Sequence, residues 1–210
     1  MSANTWFRPG HYVIATAAAL ALTTATSQAL NLLTDPGFES GTPVSSAMGG
    51  WATVVDSAFS QTYDHSGLWS MDCYYDSADS HGVSVQGVAA TPGTQYTLTG
   101  WGYTPNTLGS GSSGFLILFF SDANGRLLGA YNMSDIQISS TSPANTWIQM
   151  SETHTAPAGT AFVYAETTIW DPAPGDAVYF DDLNLTAVPE PSRLPLLGLG
   201  LLPLLRKFRG

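Results

Sequence analysis

Between residues 30 and 187 the apolar and aromatic residues come in short runs, and clusters of turn-forming residues break every one of them. No run holds the 3.6-residue period of an amphipathic helix, whereas several alternate apolar and polar positions with period two. The candidate strands are 50–55, 68–75, 82–89, 94–104, 114–121, 126–132, 145–153, 160–170 and 177–187. The breaks are chemically specific: Thr91-Pro92-Gly93, Ala123-Asn124-Gly125, Ala156-Pro157-Ala158-Gly159 and Pro172-Ala173-Pro174-Gly175. Proline presets φ and glycine supplies positive φ, so these points reverse the chain. About nine short strands in a segment of about 160 residues predict one all-β domain, a sandwich of two sheets.

Both ends differ from this middle. Arg8 and His11 precede an apolar run at 12–22, and a small-residue stretch ending Ser27-Gln28-Ala29 follows. A charged start, an apolar centre and a small-x-small close form the pattern of an export signal. Residues 1–29 are therefore expected to be a signal helix, and the mature chain to begin near Leu30. At the other end, residues 194–205 are leucine-rich and interrupted by Pro195 and Pro203, and Arg206, Lys207 and Arg209 follow. A helix of about twelve residues rises ~18 Å, short of a bilayer core of roughly 30 Å. With the basic residues behind it, such a segment suits a transient membrane contact better than a permanent span.

Charge narrows the choice of partner. The only Lys or Arg between 30 and 188 is Arg126, while every acidic residue except Glu190 lies there. Such a surface repels phosphate backbones, which excludes nucleic acid as a natural partner. Cys73 is the sole cysteine, so the domain has no internal disulfide and must be held by its core. In the LWSMDCYY run it alternates with Trp69 and Met71 and reads as a core residue.

The order Val188-Pro189-Glu190-Pro191-Ser192, leucine-rich run, basic end resembles the PEP-CTERM sorting signal of Gram-negative bacteria. That resemblance implies export, recognition by an exosortase, and residence in the cell envelope, outer surface or exopolysaccharide matrix. It divides the chain into a signal peptide (1–29), a sandwich (30–187) and a sorting signal (188–210). A second resemblance spans the middle: NLLTDPGFESG, Gly50-Trp51, HSGLWSM, TPGTQYTLTGW, TAPAGTAFVYAE and VYFDDLNL occur in that order. Together they resemble the galactose-binding-like jelly rolls that include xylan- and glucan-binding carbohydrate-binding modules. The expected fold is thus a jelly-roll β-sandwich of about nine strands, flanked by the signal helix and a short C-terminal hydrophobic helix.

Strand parity then sorts candidate ligand residues. In 94–104, Tyr96, Leu98, Gly100 and Gly102 share one face and Trp101 and Tyr103 the other. If the first set faces the core, Trp101 and Tyr103 stand outward as a platform on which the apolar face of a sugar could stack. In 162–170, Val163, Ala165 and Ile169 share a face opposite Tyr164 and Glu166, which could meet sugar hydroxyls. Tyr74 is a third candidate by the same alternation. Trp51 and Trp147 match family positions that pack inside, and Trp170 and His81, at strand ends, stay open.

The acidic residues give a further expectation. Parity groups Asp181 with Leu183 and Leu185, hence inward, and no basic residue is near in sequence to pair with it. The resemblance implies a structural Ca²⁺ held by an N-terminal glutamate and a late aspartate, here Glu39 with Asp181 or Asp182. The alternative is that Asp181 accepts backbone N–H groups from the first loop. Neither an HExxH nor a Gly-x-Ser-x-Gly motif occurs, and the histidines are scattered. The expected role is non-enzymatic binding of extracellular polysaccharide. A structural protein binding another protein, or a glycoside hydrolase or lyase, are the alternatives.

Overall fold

The computed structural model describes residues 29–76 and 81–188. The signal segment but for Ala29, the C-terminal hydrophobic run and all of the sorting motif but Val188 lie outside the described residues. After a 3₁₀ turn at Ala47–Gly49 come eleven strands. In chain order they are β1 (Ala52–Val55), β2 (Ser57–Ser60), β3 (Ser70–Tyr74), β4 (His81–Ala89), β5 (Gln95–Tyr103) and β6 (Ser113–Ser121). Then follow β7 (Leu127–Met133), β8 (Ile138–Ser139), β9 (Ile148–Thr155), β10 (Phe162–Trp170) and β11 (Ala177–Val188). The first sheet runs β1-β4-β10-β6-β7, with β8 also pairing β6; the second runs β2-β3-β11-β5-β9. All pairings are antiparallel, as a jelly-roll sandwich requires.

The nine expected strands are all present, and two short ones are added. β2 (Ser-Ala-Phe-Ser) has one large apolar residue and no visible alternation. It exists because Asp56, with φ of 38°, turns the chain from β1 in the first sheet directly into the second. The Asp56 carbonyl then accepts the N–H of Tyr74, which fixes the corner.

Alternation builds the core from both sheets. Val163, Ala165 and Ile169 of β10 meet Leu116, Leu118 and Phe120 of β6 from the first sheet. Met71, Leu98, Met150, Phe180 and Leu185 answer from the second. Trp51 is buried against Phe38, with ring centroids 4.8 Å apart, and its indole N–H donates to the Asp35 carbonyl. Cys73 is fully buried and its thiol faces Thr167, as a core residue should. At Gly114 the sheets come so close that a Cβ would stand 2.7 Å from Val178, which restricts this position to glycine.

β11 carries the irregularity that matters most. Between Asp181 and Asn184 its pairing with β5 shifts register, and Asp182 takes φ of 48°. Such a bulge inverts the alternation. Val178 and Phe180 face the core before it, and Leu183 and Leu185 after it.

Both described ends lie at one pole of the sandwich. The Leu32 N–H bonds the Leu185 carbonyl, and Val188 pairs with Gln95. His81 and Trp170, paired with each other, end their strands at the opposite pole.

Candidate functional site

The outer face of the first sheet is built from the residues that β10 and β6 turn away from the core. Trp170, Glu166 and Tyr164 stand on β10, with Phe115, Ile117 and Phe119 beside them on β6. Phe115 and Ile117 are nonetheless buried, because large neighbours cover them. Trp170 packs edge-on to Phe115, with centroids 4.9 Å apart at 76°, and lies 6.4 Å from the His81 ring. These contacts fix the indole without covering it with a parallel ring. Around it opens a groove of about 250 Å³ lined by His81, Val83, Ile117, Tyr131, Glu166 and Trp170.

Glu166 is the only carboxylate in that lining. Burial among apolar neighbours pushes its pKa up to about 7. Near neutrality it can therefore accept a hydrogen bond as the anion or donate one as the acid. Tyr131, from β7, is 50% exposed and forms the far wall. Tyr164 shares the face but not the groove. Its ring lies flat on Phe119, 4.7 Å away and 3° from parallel, and against Gly87, where a Cβ would come within 2.6 Å of the ring.

The second sheet presents a different outer face. Tyr103, Tyr179 and Asp72 stand in one row across β5, β11 and β3, and Trp101 pairs with Asp181. Residues between β2 and β3 fold over this row. Tyr63 packs 4.9 Å from Tyr103, Trp147 packs 5.1 Å from it on another side, and the phenol donates to Asn145 Oδ1 at 3.0 Å. Tyr103 is thereby only 8% exposed, so the expectation of an open ring there is corrected. Trp101 keeps partial exposure, but one of its faces is stacked on His65, 4.3 Å away and 16° from parallel. Trp147, expected in the interior, is half-buried on this outer face. Tyr74 is also outward on the second sheet, beside Asp56, Asp72 and Asp76, whose charges add to burial in raising its pKa.

The sequence candidates therefore do not form one site. Trp101, Tyr103 and Tyr74 belong to one sheet and Tyr164 and Glu166 to the other, so the core separates the two groups. The groove's other walls were harder to foresee. Tyr131 follows Gly129, whose φ of 82° and the nearby register shift hide its facing. Trp170 and His81 are legible only once their pairing is known.

The acidic set departs from expectation in an informative way. Asp181 is fully buried, though on the outward side of the sheet, because the bulge breaks the parity that grouped it with Leu183. Its Oδ2 accepts the N–H groups of His65 (2.8 Å) and Ser66 (3.0 Å), and its Oδ1 that of Asp182 (2.6 Å). These donors come from the segment before β3 and from the bulge itself. Burial still raises its pKa to about 6. Asp182 accepts the Ser66 hydroxyl at 2.7 Å and meets His65 Nδ1 at 2.7 Å. Glu39 accepts the N–H groups of Leu68 and Trp69. The carboxylates thus pin residues 65–69, and each is already engaged by hydrogen-bond donors. Among the described residues no group of three metal-ligating side chains converges. As placed, Glu39, Asp181 and Asp182 do not fit a calcium shell.

No protein-family model and no curated protein matches this chain. Solved structures do. A family 16 carbohydrate-binding module is 19% identical over 74% of this chain and 99% of its own, with a TM-score of 0.51. The CBM22-1 xylan-binding domain of Paenibacillus barcinonensis Xyn10C is 14% identical over 80% of this chain and all of its own, at 0.54. TmCBM61, solved with β-1,4-galactotriose, is 18% identical over 76% and 99%, at 0.50. Matches also include parts of larger proteins: this chain spans 21% of a bacteriophage CBA120 tailspike domain and 26% of an α-L-arabinofuranosidase. At these identities the likeness is one of fold. The chain shares the jelly-roll sandwich of carbohydrate-binding modules.

Proposed function

We propose that this protein binds an extracellular polysaccharide in the groove on the first sheet and does not cleave it. The observation that carries the reading is the groove itself, where one indole and one phenol flank a single part-buried carboxylate. Sugar rings offer apolar faces to Trp170 and Tyr131 and hydroxyls to Glu166, which is how a concave site with few polar groups gains specificity. The fold's likeness to carbohydrate-binding modules supports this choice over a protein-binding surface. Glycoside hydrolysis ordinarily requires two facing carboxyl groups ~5–9 Å apart. The groove lining offers one, which favours binding without turnover.

The chain's ends complete the proposal. An export signal and an exosortase-read sorting tail would deliver the sandwich to the envelope, outer surface or matrix of a Gram-negative bacterium. Because Val188 leaves the pole opposite His81 and Trp170, a tail held transiently at a membrane would keep the Trp170 end of the groove far from it. Affinity electrophoresis tests the binding directly. Wild-type protein is expected to be retarded in gels containing a recognised neutral polysaccharide, and Trp170→Ala to be retarded markedly less. Unchanged retardation of that variant would remove the groove from the site. Cell fractionation with and without an exosortase tests the sorting step separately.

A further inference from the structure

The second sheet loses most of its rings to packing, yet it keeps an open trough of its own. Along β5 and β9 the outward residues are Thr97 and Thr99 facing Thr153 and Ser151, with Gln149 opposite Trp101. The Thr97 and Thr153 hydroxyls bond each other at 2.8 Å, and Gln149, Ser151 and Thr153 are exposed. A flat hydroxyl strip is an ordinary solvated sheet face, but here the chain makes it concave. After β7 the backbone passes around the free edge of β9, where the Asp135 N–H bonds the Ser151 carbonyl. Asp135 and the 50%-exposed Ile136 thereby stand as a rim. The result is a trough of about 410 Å³ lined by Thr99, Gln149, Ser151, Met150, Asp135 and Ile136.

From this geometry we infer a second glycan-binding trough on the outer face of the second sheet, so that one chain bridges two polysaccharide strands. The inference rests on the reading that the first groove takes a glycan. The lining dictates the class of ligand. Two hydroxyls, a primary amide and a carboxylate offer many hydrogen bonds, and the exposed isoleucine offers an apolar edge. No Lys or Arg is in the lining and Arg126 is the only one between residues 30 and 188, so a sulfated or uronic polymer meets no counter-charge. A neutral polyhydroxylated chain fits. The first groove and this trough open on opposite outer faces, with the whole core between them. One strand cannot fill both without wrapping the domain, so two strands are joined.

Two readouts test this with full-length protein and a panel of neutral soluble polysaccharides headed by xylan and β-1,4-galactan. Titration with short oligosaccharides of whichever polymers retard the protein should saturate at two ligands per chain. Mixing protein with the parent polymer should give turbidity that peaks and then falls in protein excess, as bridging demands. Gln149→Ala/Ser151→Ala, at exposed positions, should reduce the stoichiometry to one and abolish the turbidity while retardation persists. Trp170→Ala, with Tyr131→Ala as its milder counterpart should it fold poorly, should also leave one site and weaker retardation. Stoichiometry of one in the wild type, or complete loss of retardation in the first-groove variants, overturns the second trough and leaves the first site standing. Absence of retardation of the wild type by every polymer overturns both.

Discussion

The two outer faces obey the same alternation and end in opposite conditions. On the first sheet, Trp170 and Tyr131 are braced from the side and keep their surfaces toward a groove. On the second, Tyr103 carries an equally promising aromatic ring, and Tyr63 and Trp147 close over it. Parity therefore decides which way a side chain points, whereas the loop that follows decides whether it remains accessible. The closing loop is held by carboxylates: Asp181, Asp182 and Glu39 together bind residues 65–69. Acidic groups thus shut one face, and a single acidic group, Glu166, equips the other.

The largest expected effect breaks the symmetry between the faces outright. Trp170→Ala should lower affinity for a recognised glycan by tenfold or more while leaving the melting temperature within a few degrees. The reciprocal change, Tyr103→Ala, removes a buried ring that packs in a cluster with Tyr63, Trp147 and Tyr179. It should cost ~3 kcal/mol of stability, read by urea denaturation, with first-groove binding unchanged. If Tyr103→Ala instead abolished binding in the folded protein, the assignment of the two faces would be reversed.

How far the sequence discloses this contrast depends on the distance over which each feature is set. Nine strands and the inward faces of β5 and β10 follow from local alternation and turn chemistry, and both are seen. β2 depends on a corner at Asp56, and the orientation of Asp181 on a bulge at Asp182, where period-two counting loses its phase. Strand parity alone places Tyr103, and the match to a family position places Trp147. How far each ring is covered depends on Tyr63 and His65 from the segment before β3, a tertiary fact with no local signature. Tyr131 was missed for a related reason, since the kink at Gly129 disguises the face of β7.

Titration separates the faces further. Burial raises Glu166 to about 7, Asp72 and Asp181 to about 6, and Glu152 to about 9. In each case the folded chain keeps a proton that the unfolded chain has already released, so stability falls as pH rises. The melting temperature should therefore decline between pH 5 and pH 9. Glu152, behind the second sheet, has its carboxyl oxygens out of hydrogen-bond range of any group, with Oε2 3.6 Å from His154 Nε2. Glu152→Gln removes the proton linkage and should gain on the order of 2 kcal/mol at pH 8 and almost nothing at pH 4. It should leave glycan affinity untouched. Glu166→Gln should also relieve its own, smaller share of that decline and, unlike Glu152→Gln, flatten the change in affinity between pH 6 and pH 8.

The smallest expected effect concerns the clamp that closes the second face. A structural Ca²⁺ requires several oxygens free to converge on one point. Here Asp181 accepts three N–H groups, and Asp182 and Glu39 are bonded to the same segment. A cation entering the cluster would have to displace donors that already occupy the carboxylate oxygens. Adding millimolar Ca²⁺ to chelator-treated protein should accordingly move the melting temperature by less than about 1 °C. Asp181→Ala, by contrast, strands three N–H donors and should cost a few kcal/mol whether or not calcium is present. A calcium-induced rise of several degrees that Asp181→Ala eliminated would show that the clamp rearranges around an ion. The hydrogen-bonded arrangement would then be only one of its two states.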